Sequence, residues 1–319
     1  MSASDARFPA TESPRHRSVL STLRRRGRTL VVAIPWIWLL LFFLVPFLIV
    51  LKISFAETRW LGSPPYSPLI EWVKDQPHIK ISLANYAMLF RDSLYIQAFW
   101  SSLKVAFIST VFCLLIGYPM AYAIARSSST SRNTLLLLVI LPFWTSFLLR
   151  VYAWIGLLGQ NGVINQILLK VGVINEPLVM LQTDFAMYIG IVYSYLPFMI
   201  LPLYSNLEKH DNTLLEAAVD LGCRPFKAFL AITLPLSVPG VVAGSMLVFV
   251  PAVGEFVIPR LLGGTNSLMI GRVLWDEYFS NRDWPVASTV AVALLVVLVG
   301  PIMLFQHYQA REAEGAKNR

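Results

Sequence analysis

The chain has 319 residues, 56% hydrophobic and 14% charged, with a formal net charge of +8. With a mean hydropathy of +0.62 it is too apolar and too poor in charge for an ordinary soluble domain, and reads as a polytopic membrane protein. The basic excess collects before the first apolar run, where Arg7, Arg15, Arg17, Arg24, Arg25, Arg26 and Arg28 face only Asp5 and Glu12. With no aromatic residue but Phe8 interleaved, this is a cytoplasmic anchor beside anionic lipid and no nucleic-acid site.

Residues 1–29 form that basic tail. The run 30–51 carries no charge, exceeds the apolar core of a signal peptide and is followed by no small-residue cleavage site, so it is a retained first span. Pro35 and Pro46 kink it, which membranes tolerate. Five further runs, 99–125, 134–158, 185–207, 236–258 and 286–308, meet the requirement of about 20 residues for a crossing. The expected class is therefore all-α, with about six transmembrane helices and both termini on one side. The chain divides into the tail, a first span with a long outer loop (30–98), a transmembrane core (99–309) containing a polar loop at 208–235, and a C-terminal tail (310–319). Arg126 and Arg132 stand unopposed between spans two and three, whereas Lys170 is outweighed by Glu176 and Asp184 between spans three and four. Charge bias thus puts the termini and the 208–235 loop in the cytoplasm.

In the outer loop, turn-rich residues at 62–68 precede an amphipathic stretch at 83–90, which either lies flat at the membrane surface or touches a soluble partner. Lys104 and Arg150 fall near outer span ends, where snorkelling is the default and repulsion of wrong cations the alternative. Pro197 and Pro202 break the lower half of span four. In the polar loop, Thr213 and Glu216 have the spacing of a capping box, and Leu214, Ala217, Ala218 and Leu221 share one helical face. Gly222 fits a helix stop, and Pro225 the first turn of a second helix carrying Phe226, Phe229 and Leu230. So short a pair cannot hide its own apolar face and needs a surface, on its own bundle or on another protein.

In span five, Gly240, Gly244 and Ser245 permit close helix approach, and Pro251 with Gly254 interrupts the helix just before Glu255. A carboxylate there either takes a cation or reaches interfacial water. Tyr152, Tyr193 and Tyr195 offer cation–π faces to an ammonium ligand or serve as packing, and Phe249 is a gate candidate. Cys113 in a span and Cys223 in the polar loop suggest neither a disulfide nor a metal site, and the four histidines are scattered.

Glu216-Ala217-Ala218, Gly222 four residues after Ala218, and Ile232-Thr233-Leu234-Pro235 resemble the complete signature loop of permease subunits of bacterial ABC importers. The resemblance implies a type I importer permease fold in the bacterial inner membrane. It makes Glu216, Ala217, Ala218, Gly222, Ile232, Leu234 and Pro235 the ATPase-coupling residues. It also implies as partners a homologous second permease, two ATPase subunits and a periplasmic solute-binding protein. No Gly-x-x-x-x-Gly-Lys loop occurs, so ATP and magnesium belong to the ATPase, and this chain is a transport subunit, no enzyme, with no cofactor of its own.

Phe256-Val257-Ile258-Pro259, Leu261-Leu262-Gly263-Gly264, the runs 269–275 and 281–288, and Pro301-Ile302-Met303 look like the putrescine-type polyamine permeases of this family. The likeness covers most of 100–305. It implies import of a polyamine, putrescine favoured, by alternating access, with Glu255, Tyr152, Tyr193, Tyr195 and Phe249 as candidates along the path. Arg260 departs from the pattern, standing where many relatives have an acidic or neutral residue, and is expected either to weaken polyamine binding or to pair with Glu255. The alternatives are an importer of another small solute, such as spermidine or an iron or anion complex, and an ion-coupled secondary carrier. The carrier calls for inverted repeats or several intramembrane ionisable residues, and neither is visible.

Overall fold

A computed structural model describes residues 31–317, apart from 60–61, 74–75, 212 and 265–266, so the basic tail lies outside the described residues. The chain falls into two units, Met1–Ile53 and Ser54–Arg319.

The first unit contributes the bulk of α1 (Val31–Ser54), whose large apolar side chains from Val31 to Val45 are exposed. A stretch apolar on every side suits a lipid surrounding. Its turn Leu40–Leu44 is π-helical, with the Val45 N–H donating to the Leu40 carbonyl. Pro46 is the cause: it has no N–H to donate and its ring crowds the carbonyl four residues back, so the turn widens.

The second unit begins with the outer loop, where β1 (Ile70–Val73) and β2 (Gln76–Ile79) form an antiparallel ribbon with Ile70 opposite Ile79. This ribbon was not expected from the sequence; it leaves the all-helical class of the membrane core intact. The amphipathic stretch is α2 (Ala84–Arg91), tied back by Asn85 Nδ2, which donates to the Ala56 carbonyl at 3.0 Å. Next comes α3 (Ser93–Arg126), which starts ahead of the expected 99 because the Asp92 carboxylate caps it, accepting from the Leu94 N–H at 2.9 Å.

The run expected as one span over 134–158 is two helices, α4 (Ser129–Ile140) and α5 (Phe147–Leu158), joined through a 3-10 turn at Leu141–Trp144. Pro142 in that turn and the extended backbone of Thr145 make the break. Each helix has 12 residues and rises about 18 Å, short of the roughly 30 Å apolar layer, so neither crosses alone; the stretch long and apolar enough is Phe147–Val171, which begins at α5. The turn Gly159–Gly162 separates α5 from α6 (Val163–Val171), which ends at Gly172 with φ +76°.

Helix α7 (Asp184–Leu207) precedes the loop at 208–235, and α8 (Thr213–Asp220) lies within it. The loop continues through Pro225–Leu236 (α9), which bends by 62° into α10 (Val238–Val253). Short helices α11 (Val257–Leu261) and α12 (Ile270–Trp275) precede the last helix, α13 (Trp284–Lys317), which runs on through the stretch expected as a tail. Among the described residues five helices are long and apolar enough to cross a membrane, or six if the bent pair α9–α10 counts as one.

The core is the packing of α3, α7 and α10, and glycine lets it close. A Cβ at Gly117 of α3 would lie 3.1 Å from Met199 Cγ, and one at Gly244 of α10 only 2.8 Å from Met199 Sδ. The Met199 side chain of α7, fully buried, thus fills two notches that any larger residue would occupy. Gly240 does the same for Asn206, whose Cβ lies 2.8 Å from the position a side chain would take.

Candidate functional site

The first site is the polar loop. Helix α8 has no buried residue. Its start differs from the expected capping box: Thr213 is already helical, and Asp211 accepts from the Thr213 N–H at 2.9 Å. That bond holds the fully exposed Asp211 carboxyl below its ordinary 3.8. The Asp-x-Thr spacing was the available signal. At the other end, Gly222 adopts φ +76°, its N–H reaches the Val219 carbonyl at 2.8 Å, and the Cys223 N–H reaches that of Ala218 at 2.9 Å. These paired bonds are a Schellman stop, which needs a left-handed residue at that point.

Glu216, Ala217 and Gly222 are exposed and Ala218 half-buried; Leu234 and Pro235 are exposed and Ile232 half-buried. The signature therefore divides, four residues on α8 and its stop and three on the ramp leading back to α10. Leu221 at 88% and Phe226 at 74% exposure crown an apolar patch that nothing in the described chain covers.

Phe229 ties this loop to the bundle. Its ring meets Tyr118 and Tyr122 of α3 edge-on, at centroid distances of 5.7 and 5.8 Å. The Tyr118 hydroxyl shares a hydrogen bond of 2.9 Å with Ser237. Phe229 opens a second π turn, Phe229–Thr233, and like the first it ends two residues before a proline, here Pro235. Helical periodicity in the sequence gave no hint of this clamp, since both tyrosines lie in another element.

The second site is the break in span five. Helix α10 ends at Val253, and the chain turns through Gly254 and Phe256 before α11. Glu255, 7% exposed, sits in the turn. Its Oε1 accepts from the N–H groups of Phe256, Val257 and Ile258 at 3.2, 3.0 and 3.4 Å, so it caps the restarted helix. Its Oε2 accepts from the Tyr195 hydroxyl at 2.5 Å. A cavity of about 490 Å3 opens beside them, lined also by Ser194, Arg150 and the rings of Phe143, Phe147 and Phe198. That volume suits a small solute.

Of the path candidates, then, Glu255 and Tyr195 meet in one cavity. Tyr193 lines a separate, almost wholly apolar crevice of about 410 Å3 between α3, α4 and α7. Tyr152 is exposed, and Phe249 packs half-buried against the core. Arg260 does not pair with Glu255: its Nη1 donates to Asp276 at 3.1 Å. Arg150, expected to snorkel, instead lines the cavity with its guanidinium 5.2 Å from the Phe143 ring centroid. The break between α4 and α5 redirects it.

Residues 114–312 match the family of binding-protein-dependent transport system inner membrane components. The chain belongs to that family. Similar proteins include the spermidine/putrescine transport system permease protein PotB of Haemophilus influenzae, 41% identical over 293 residues, covering 92% of this chain and 97% of that one. PotB of Escherichia coli is 39% identical over 275 residues, 86% of this permease and 94% of the relative. Among solved structures, a chain of a bacterial ABC transporter involved in the import of alginate superimposes with a TM-score of 0.68 at 18% identity, over 92% of this permease and 99% of that chain. A chain of the MetNI methionine transporter gives 0.51 over 72% and 97%. The fold is thus that of ABC importer permeases, and the protein is a multi-pass inner-membrane transport component.

Proposed function

We propose that this permease imports polyamines, putrescine foremost, as one of two homologous permease subunits served by two ATPases and a periplasmic binding protein. The observation that carries the reading is the buried Glu255 carboxylate, held at a helix break and facing a cavity walled by aromatic rings. A carboxylate neutralises one ammonium group and ring faces attract another; an alkyl chain between them suits the phenylalanines. The name of the relatives supports the same substrate class. Both termini lie in the cytoplasm, and the exposed α8–α9 patch docks on the ATPase, which binds ATP and magnesium. Closure of the ATPases then shifts Phe229 against Tyr118 and Tyr122 and switches the cavity between the two sides of the membrane.

Arg150 in the same lining favours a second reading, an anionic solute. Uptake of labelled putrescine and spermidine, in cells lacking other polyamine importers and supplied with all partner subunits, separates the two. Glu255→Gln keeps the cap and removes the charge, so uptake of both amines is expected to fall at least tenfold in an assembled complex. Wild-type complex that imports neither amine discards the polyamine reading, and unchanged uptake by Glu255→Gln removes this carboxylate from the path.

A further inference from the structure

The Arg150 guanidinium stands 5.2 Å from the Phe143 ring centroid and 5.9 Å from that of Phe147, while its Nε is buried without an acceptor. Its side chain has neither hydrogen bond nor ion pair among the described residues. It also sits in the first turn of α5, where the helix dipole disfavours a cation. Among the described residues, only the rings hold this charge in place.

Those rings are continuous with the carboxylate. From Glu255 the wall passes through Tyr195, then Phe198 at a centroid distance of 6.1 Å, then Phe143 at 5.1 Å, and ends at Arg150. The far end of the wall therefore already carries a cation, supplied by the protein. A substrate ammonium drawn to the same ring faces must displace it.

We propose that Arg150 is a tethered cation that occupies the Phe143–Phe147 wall until the second amino group of a diamine displaces it, and so selects diamines over monoamines. A monoamine satisfies Glu255 and stops there, since its alkyl end has nothing to offer in exchange for the guanidinium. A diamine places one ammonium at Glu255 and the other on the wall, and Arg150, on a long flexible stem, swings to the aqueous boundary. This rests on the polyamine reading above and specifies how that site chooses among amines.

The test is equilibrium binding of radiolabelled putrescine to the assembled transporter in lipid nanodiscs, without the soluble binding protein, with butylamine as competitor. In wild type, butylamine should compete poorly. Arg150→Gln should bind putrescine about three- to tenfold more tightly, the range expected when a competing cation–π contact is removed, and should become sensitive to butylamine. Arg150→Lys should keep the wild-type profile, which a merely structural role for the guanidinium would not restore. If Arg150→Gln does not assemble, Arg150→Met keeps the packed stem and should behave as described for glutamine. Equal putrescine affinity and equal butylamine sensitivity in wild type and the uncharged variant would overturn the inference while leaving the polyamine reading standing. An assembled, ATP-hydrolysing complex that neither binds nor imports putrescine sinks both.

Discussion

Replacing Gly222 measures how much of the transport cycle depends on one left-handed residue. Its φ of +76° closes α8, yet nothing lies within 4 Å of a Cβ built there. A side chain at this position therefore meets no steric wall, and its whole cost is the backbone conformation, about 1–2 kcal/mol for an ordinary L-residue. Helix α8 has 8 residues and none is buried, while isolated helices below about 12 residues are marginal in water. The loss falls on a segment with no reserve, and the ratio of ordered to disordered loop should drop by roughly 5- to 30-fold. The variants should rank by tolerance of the left-handed region: Asn nearest wild type, Ala next, β-branched Val worst. The assay is solute-stimulated ATP hydrolysis by the reconstituted complex, with the melting temperature of the isolated permease as control. Hydrolysis should follow that ranking while melting stays within a degree or two, because the bundle is untouched. Identical stimulated hydrolysis in all three variants would refute the claim that the docked loop keeps this stop, and a matching fall in melting would mean the glycine supports the bundle instead.

Three other perturbations have defined outcomes. A Cβ at Gly271 would come within 2.8 Å of the Glu255 carbonyl oxygen and closer to that of Gly254, so Gly271→Ala, which must move backbone, should cut the yield of folded permease in detergent several-fold; a normal gel-filtration profile would contradict it. Phe229→Ala removes two edge-on ring pairs, each worth about 0.5–1.5 kcal/mol, and should leave ATP hydrolysis intact while uptake falls, as seen by assaying both in the same proteoliposomes. Because the Asp211 carboxyl is held low by the Thr213 N–H, its capping contribution is complete above the ordinary value and is lost as pH falls through the lowered one. Amide-exchange protection at Thr213 should therefore weaken at pH 3 relative to pH 5 in wild type and not in Asp211→Asn, which keeps an acceptor.

What the sequence revealed was local chemistry. Gly222 and Pro225 each carry a backbone requirement that does not depend on neighbours, and both stand where a stop and a restart occur. Pro251 and Gly254 likewise announced the break before Glu255, because a missing N–H and a missing side chain act wherever they are. Gly244 could be read as a contact glycine, although its partner, Met199, could not. The failures concern direction. A single span over 134–158 would carry Arg150 to the interface; the break at Thr145 turns it into the cavity. Arg260 is close to Glu255 in sequence, yet a helix turn separates them and Asp276 takes the charge. The strands Ile70–Val73 and Gln76–Ile79 have four residues each, too few for alternation to show in the sequence.

The two oxygens of Glu255 have different employments. One is committed to three amides of the chain, and the other to a single hydroxyl at the cavity edge. In the proposed polyamine path, an arriving ammonium would exchange with that one phenol without disturbing the restart of the helix. Loading and unloading by that route would leave the scaffold's own bonding unchanged, and each turnover would begin from the same backbone. A passage built this way has little memory of its last passenger, which is what a conduit, unlike a store, requires.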